Sequence, residues 1–249
     1  MINIVKADFR RIIQKKMFWI MMAVPLIINI AALLYHYFND ELTSFRFLIY
    51  FGNDGLVLML VGAIILLSVY GDELRSMAMT TLIGRGYSRT NIILAKFIDV
   101  VLLVIVVNIF YAIIALILTL VFRVPLTGFE TKVLAFRYLM NIYDMIGNIT
   151  FAAFFIFLME NSAVGVFIFL ATSVLIPALI QFASNTMEFV QKFHLNRLDY
   201  NAIGNMAFSD FMLGMPGYAV LKVLIGVVVY VLTFLVLTAV FFNKKELSF

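Results

Sequence analysis

Long apolar runs separated by short charged pieces dominate the chain. Met17–Asn39 is 23 residues without a charge, held between Lys16 and Asp40. Phe47–Gly71 follows, interrupted only by Asp54. Val100–Phe122 is another uncharged 23, and Tyr138–Met159 is broken once, by Asp144. Asn161–Met187 is a charge-free 27, and Val223–Asn243 closes the set with 21. A helix needs about 20 mostly apolar residues to cross about 30 Å of hydrocarbon. None of these runs alternates in polarity as the strands of a membrane barrel do. With their flanks they predict six spans, 17–39, 47–71, 97–122, 138–159, 161–187 and 218–243. The fold expected is an all-α membrane protein with a single transmembrane domain, 1–249.

Composition agrees. Of 249 residues, 64% are apolar and 13% charged, whereas an ordinary soluble domain is roughly 45–50% apolar and about 25% charged. A soluble globule would have to cover its surface with Leu, Ile, Val and Phe. Disorder is excluded, and the lack of cysteine excludes a disulfide scaffold or a thiolate metal site. The net charge of +4 invites a nucleic-acid reading, but the basic residues sort by membrane side. With the N-terminus inside, 11 of the 18 Lys and Arg fall on cytoplasmic pieces, five of them just before the first span. Both termini are therefore expected in the cytoplasm. Met1–Phe18 is not expected to be a signal peptide, since its charged part is long and its apolar run fills a whole bilayer.

The pieces between spans carry their own patterns. In residues 2–16, Ile2, Val5, Phe9, Ile12 and Ile13 fall on one helical face while Lys6, Arg10, Arg11 and Lys15 lie off it. That predicts an interfacial helix with its cations near anionic lipid. In residues 72–96, Leu74, Met77, Ala78, Thr81 and Leu82 repeat with helical spacing. Gly84 and Gly86 then break the helix, and Ser88 is placed to cap the next one. The result is a cytoplasmic helix–turn–helix whose apolar stripe can dock a partner. Residues 184–217, with aromatics among charges and a Pro216-Gly217 turn, predict an extracellular segment of short helices at, or dipping into, the outer interface. Only Glu160-Asn161-Ser162 joins spans four and five, which must form a tight hairpin. No internal repeat supports an inverted-repeat carrier.

Much catalytic chemistry is missing. None of the nine lysines follows a glycine, so the chain has no phosphate-binding loop. His36 and His194 are its only histidines, neither with metalloprotease spacing. No serine has the flanking glycines of a nucleophile elbow. Asp54, Asp99, Asp144 and Glu160 fall toward span ends, so no charge is expected near a midplane, where a proton-coupled carrier or selective channel needs one. Asn29, Asn108, Tyr111, Thr119, Thr172 and Ser173 lie inside spans as neutral polar groups. They read as interhelical hydrogen-bonding residues, with Asn29, Asn108, Tyr111, Thr172 and Ser173 also eligible to line a weakly polar path. Pro25 and Pro177 can mark bends.

The inner loop reads Gly71-Asp72-Glu73-Leu74-Arg75, then Thr80-Thr81-Leu82-Ile83, Tyr87-Ser88-Arg89 and Ala95-Lys96. Together with the N-terminal helix, the six spans and the outer segment before span six, this resembles the transmembrane subunits of bacterial ATP-binding-cassette exporters of the type-2 permease class. The similarity covers essentially the whole chain. The family often has proline near the turn, where this chain has Gly86-Tyr87. The resemblance implies a dimer of permease subunits, homo- or heteromeric, in the bacterial cell membrane. Each subunit engages a separate ATPase that brings ATP and magnesium, so this chain has no cofactor and no catalysis of its own. The coupling residues implied are Glu73, Leu74, Met77, Thr81, Leu82, Arg85, Tyr87 and Arg89. It also looks like the smaller members of the class that export amphipathic peptides, including lantibiotic self-protection and phenol-soluble-modulin exporters. The competing readings are a stand-alone channel or secondary carrier and, more remotely, a membrane-embedded enzyme.

Overall fold

In a computed structural model the described residues are 1–52, 55–71 and 78–244, and those in regular elements are helical. Helix α1 is Ile2–Gln14, and α2 is Lys16–Phe38. Helix α3, Ser44–Gly52, and α4, Gly55–Leu66, lie on either side of residues 53–54, and α4 runs on into a π-turn at Leu67–Gly71. A short α5, Ala78–Gly84, precedes the long α6, Arg89–Val121. Helix α7 is Gly128–Met159 and α8 is Ser162–Thr186. Helices α9, Glu188–Lys192, and α10, Tyr200–Met212, lead to α11, Pro216–Lys244.

Among the described residues five helices, α2, α6, α7, α8 and α11, are long and apolar enough to cross a membrane. The chain is a helical multi-pass membrane protein. The stretch expected as the second span, 47–71, includes residues 53–54 that lie outside the described residues, and its described parts on either side, α3 from Phe47 and α4 with its π-turn, are helical.

Helix α7 is the centre of the bundle. Half of its most apolar stretch is buried, against 17% for α8 and for α11. Side chains from α2, α3, α4, α6, α7 and α8 meet in one core that includes Leu33, Phe47, Ile65, Leu103, Ile149 and Phe169, all essentially inaccessible. Glycines allow the closest approaches: a Cβ at Gly165 would lie 2.2 Å from Ile156, and one at Gly62 would lie 2.2 Å from Phe169. The outward faces of α8 and α11 are lined with exposed Val, Leu, Ile and Phe, as expected of helices that meet lipid or another subunit.

The ends of the helices are chemically defined. Glu160, in the left-handed conformation, closes α7, and the Asn161 side chain caps α8 by accepting from the Ala163 amide at 2.8 Å, which makes the short hairpin expected between these spans. At the opposite end, Thr127 and Glu130 form a reciprocal capping box on α7. Close to it, the Ser44 hydroxyl donates to the Pro125 carbonyl at 2.9 Å. Also at that end, Arg46 pairs with Glu41, and with His36 it holds the Glu41 carboxyl below the usual carboxylate range.

The face of α1 that enters the bundle keeps most of the expected stripe, with Phe9, Ile12 and Ile13 on the core. Ile4 and Ile12 are buried while Ile2 is exposed. Between them on the same face lies Asp8, whose carboxylate meets the wholly buried Lys96 ammonium of α6 at 2.5 Å. Trp19 Nε1 donates to the Ile13 carbonyl at 2.8 Å, across the break between α1 and α2.

Candidate functional site

Two regions combine polar chemistry with a defined position. The first is the linker end, where α1, α5 and the starts of α6 and α8 gather. Gly86 sits at φ +88°, a conformation glycine adopts without strain, and its amide donates to Ile83 O at 2.9 Å to close α5. Ser88 Oγ accepts from the Asn91 amide at 3.3 Å and caps α6. Arg89 crosses to the end of α11: its Nη1 donates to Phe242 O at 2.7 Å, and its guanidinium lies 5.6 Å from the Phe242 ring centroid. A cation at the C-terminal end of a helix suits the carbonyls that are free there. Asn243 adds a bond to the Thr90 hydroxyl at 3.0 Å.

Among the coupling residues expected from sequence, Glu73, Leu74 and Met77 lie outside the described residues. Thr81 and Arg85 are exposed at the tip of the helix–turn–helix. Leu82 and Tyr87 are half-buried and pack on the chain's own core, and Arg89 is committed to α11. The described part of the apolar stripe thus contributes to holding the helix–turn–helix on the bundle, and the tip it presents is polar.

The second region lies deep between α7, α8, α10 and α11. Tyr143 of α7 and Tyr200 of α10 stack at 4.2 Å with an interplanar angle of 14°. Each hydroxyl donates to the other's backbone carbonyl, Tyr143 at 3.1 Å and Tyr200 at 2.7 Å. Three glycines make room: a Cβ at Gly147 would lie 2.0 Å from the Tyr200 ring, one at Gly226 would lie 2.1 Å from the Tyr143 hydroxyl, and one at Gly204 would lie 3.0 Å from the Tyr143 ring. Beside this clasp, Asn148 donates to Asn201 Oδ1 at 2.9 Å, and Asn201 in turn donates to Thr172 O at 2.9 Å. Thr172 belongs to the π-turn Ala171–Leu175 of α8.

Counting back from the Glu160-Asn161 hairpin, Asn148 and Thr172 are each about 17–18 Å along their helices at about 1.5 Å per residue. That is near half of a ~30 Å hydrocarbon layer. The start of α10 therefore packs into the bundle well away from the hairpin, beside the middle stretches of α7 and α8, and brings the Asp199 carboxylate with it. Asp199 thus stands beside the middle stretches of α7 and α8. Asp199 caps α10 by accepting from the Ala202 amide at 3.1 Å. Among the described residues no Lys or Arg forms an ion pair with it.

No family model and no curated protein matches the chain.

The five residues expected to line a path separate into two groups. Asn29, Asn108 and Tyr111 surround a single void of about 30 Å³ together with Tyr50 and Tyr138. They tie spans together: Asn29 donates to Tyr50 O at 2.7 Å and Tyr111 donates to Met22 O at 2.7 Å. Asn29 Oδ1 has no protein partner, and a void of this size holds about one water. Thr172 lines a larger chamber of about 160 Å³ with Asn148, Phe151, Asp199, Tyr200, Tyr230 and Phe234. Ser173 turns its hydroxyl back onto Phe169 O at 2.7 Å.

Sequence reasoning passed over Asp8, Asp199, Asn148, Asn201 and the tyrosine clasp. The available signal was the set of small residues on α10 and α11, Gly204, Ala207, Ala219 and Gly226, of a kind that marks close helix approach in membranes. Because asparagine is as good an N-cap as aspartate, Asp199→Asn should keep wild-type thermal stability in detergent. Asp199→Ala should lose about 1 kcal/mol. Equal melting of the two variants would remove the capping role.

Proposed function

We propose that this chain is the membrane-spanning subunit of an ATP-driven exporter of the type-2 permease class. Its linker end faces the cytoplasm of a bacterial cell, with both termini and residues 72–96 on that side. In this reading it works as a dimer with a second permease subunit and docks separate ATPase subunits that supply ATP and magnesium. Its cargo is an amphipathic or hydrophobic substrate, a peptide in the resemblance.

The observation that supports the reading is the mechanical wiring of the linker end. The exposed tip at Thr81–Arg85 is continuous with α6 through one glycine turn and a capped start. Arg89 fastens that start to the end of α11, and Lys96, two turns further on, fastens it to α1. A push on the tip is therefore delivered to two spans and to the N-terminal helix at once. A simple tether between spans needs only a few residues and no such bracing.

Affinity purification in mild detergent, followed by identification of the co-purifying chain and an ATPase assay, tests the proposal. The purified chain alone should hydrolyse no ATP, and activity should appear with a phosphate-loop partner. Arg85→Glu combined with Thr81→Glu should weaken that association by tenfold or more, since arginine is a frequent interface anchor. Lys132→Ala at the other end should leave it unchanged. Robust hydrolysis by this chain alone, or transport in liposomes containing no ATPase, would overturn the proposal in favour of an enzyme or a stand-alone carrier.

A further inference from the structure

The chamber at the start of α10 has a composition that the tyrosine clasp does not account for. Four aromatic side chains line it: Phe151 from α7, Tyr200 from α10, and Tyr230 and Phe234 from α11. Their rings are in mutual contact, with Tyr200 and Tyr230 at 5.5 Å and Phe151 and Phe234 at 4.5 Å. Asp199 is the one acidic residue of the lining. No Lys or Arg lines the chamber. Asp199 also borders a second cleft of about 360 Å³, lined by Gln181, Ser184, Asn196, Arg197 and Asn205. That cleft extends along α8 toward its far end and gives the carboxylate a polar approach.

The neutral polar groups of the lining are already used. Asn148 bonds Asn201 and the Asp144 carbonyl, and the Thr172 hydroxyl bonds Phe169 O. The charged groups on the neighbouring helices do not neutralise the site from within. Asp144, on α7, adds a second carboxylate near the start of α10, with its Oδ1 3.1 Å from where a Cβ on Gly204 would stand. Arg137, two turns along α7 from Asp144, lies with its guanidinium 3.2 Å from the Phe208 ring centroid.

We propose that this chamber binds an alkylammonium group. The faces of aromatic rings attract a cation whose surface is made of methyl or methylene groups, and the attraction grows when water is excluded. A carboxylate at the rim supplies the opposite charge. The volume takes a head of a few heavy atoms and excludes a whole peptide, so the bound part is the ammonium end of a larger amphiphile or a small free cation. The source is either the amine of a peptide side chain or terminus, or the ammonium head of a lipid. The site does not depend on the exporter reading, because binding is measured with this chain alone.

The test uses the full chain in nanodiscs of phosphatidylglycerol, with butyltrimethylammonium as probe and its neutral isostere 3,3-dimethylbutan-1-ol as control. Saturation-transfer NMR should show saturable binding of the cation, at least tenfold tighter than the alcohol. Asp199→Asn, which keeps the helix cap, should weaken the cation by about tenfold and leave the alcohol unchanged. Tyr230→Leu and Phe234→Leu should each weaken it severalfold, and having two ring variants keeps the test decisive if one fails to fold. Nanodiscs containing phosphatidylethanolamine should compete if the source is lipid. A lysine-bearing amphipathic peptide should compete, and its acetylated form should not, if the source is peptide. Either competition upholds the site. Equal binding of the cation and the alcohol, or wild-type affinity in monodisperse Asp199→Asn, would overturn it.

Discussion

Asp8→Asn is expected to cost this protein about 3 kcal/mol or more, although it only exchanges one oxygen for an amide nitrogen on a helix that reads as an interfacial element. Lys96 is wholly buried and its ammonium sits against Asp8. Removing one partner of a buried ion pair typically costs 3–5 kcal/mol. In a chain of this length that corresponds to a fall in melting temperature of roughly 6–12 °C. Lys96→Met should cost less, because the Asp8 carboxylate keeps some exposure and has Arg11 at 3.5 Å. The double variant Asp8→Asn with Lys96→Met should recover most of the loss, since an apolar replacement of a buried pair is often neutral. The measurement is the fraction remaining monodisperse in detergent as temperature rises. Asp8→Asn melting within a degree of wild type would show that the pair does not hold α1 to α6.

The second large effect is expected at Gly147. An added Cβ would meet the Tyr200 ring at 2.0 Å, and that ring is stacked on Tyr143 and hydrogen-bonded to the backbone of α7. Overpacking of this kind costs about 1–3 kcal/mol. Displacing Tyr200 also breaks two hydrogen bonds, each about 0.5–1.5 kcal/mol. Gly147→Ala should therefore release the start of α10 from its place beside α7. Since the chain has no cysteine, a single Asn201→Cys reports this directly. Its reaction with a water-soluble thiol reagent should rise at least tenfold in the Gly147→Ala background. Gly128→Ala, where nothing lies within 4 Å of the added atom, should leave the rate unchanged. An unchanged rate in Gly147→Ala would mean that the clasp does not position the start of α10.

The helical membrane class could be read from the sequence because hydropathy is a local property and a span is simply a long enough run of it. Ser88 and Asn161 could be read as caps for the same reason, because capping acts over two or three residues. Asp8 could not be singled out in the sequence, because the ammonium that it meets lies 88 residues away. For Asp199, nothing in 184–217 says how far a short helix enters the bundle, which is decided by whether α7 and α11 carry glycines where it must pass. Asn29, Asn108 and Thr172 shared one description as polar residues within spans. Their separation into a water-sized void and an aromatic chamber follows from helix packing, to which a one-dimensional pattern is blind.

A π-turn adds one residue to a helix, so the parts of a span before and after it are out of phase by about 100°. Shifting such a turn along the axis swings each residue it passes through that angle, while the length of the span hardly changes. Two of these turns, Ala171–Leu175 in α8 and Val227–Leu232 in α11, contain Thr172 and Tyr230, which stand on different walls of the same chamber. The two turns therefore set, from opposite walls, which side chains of α8 and α11 face the chamber.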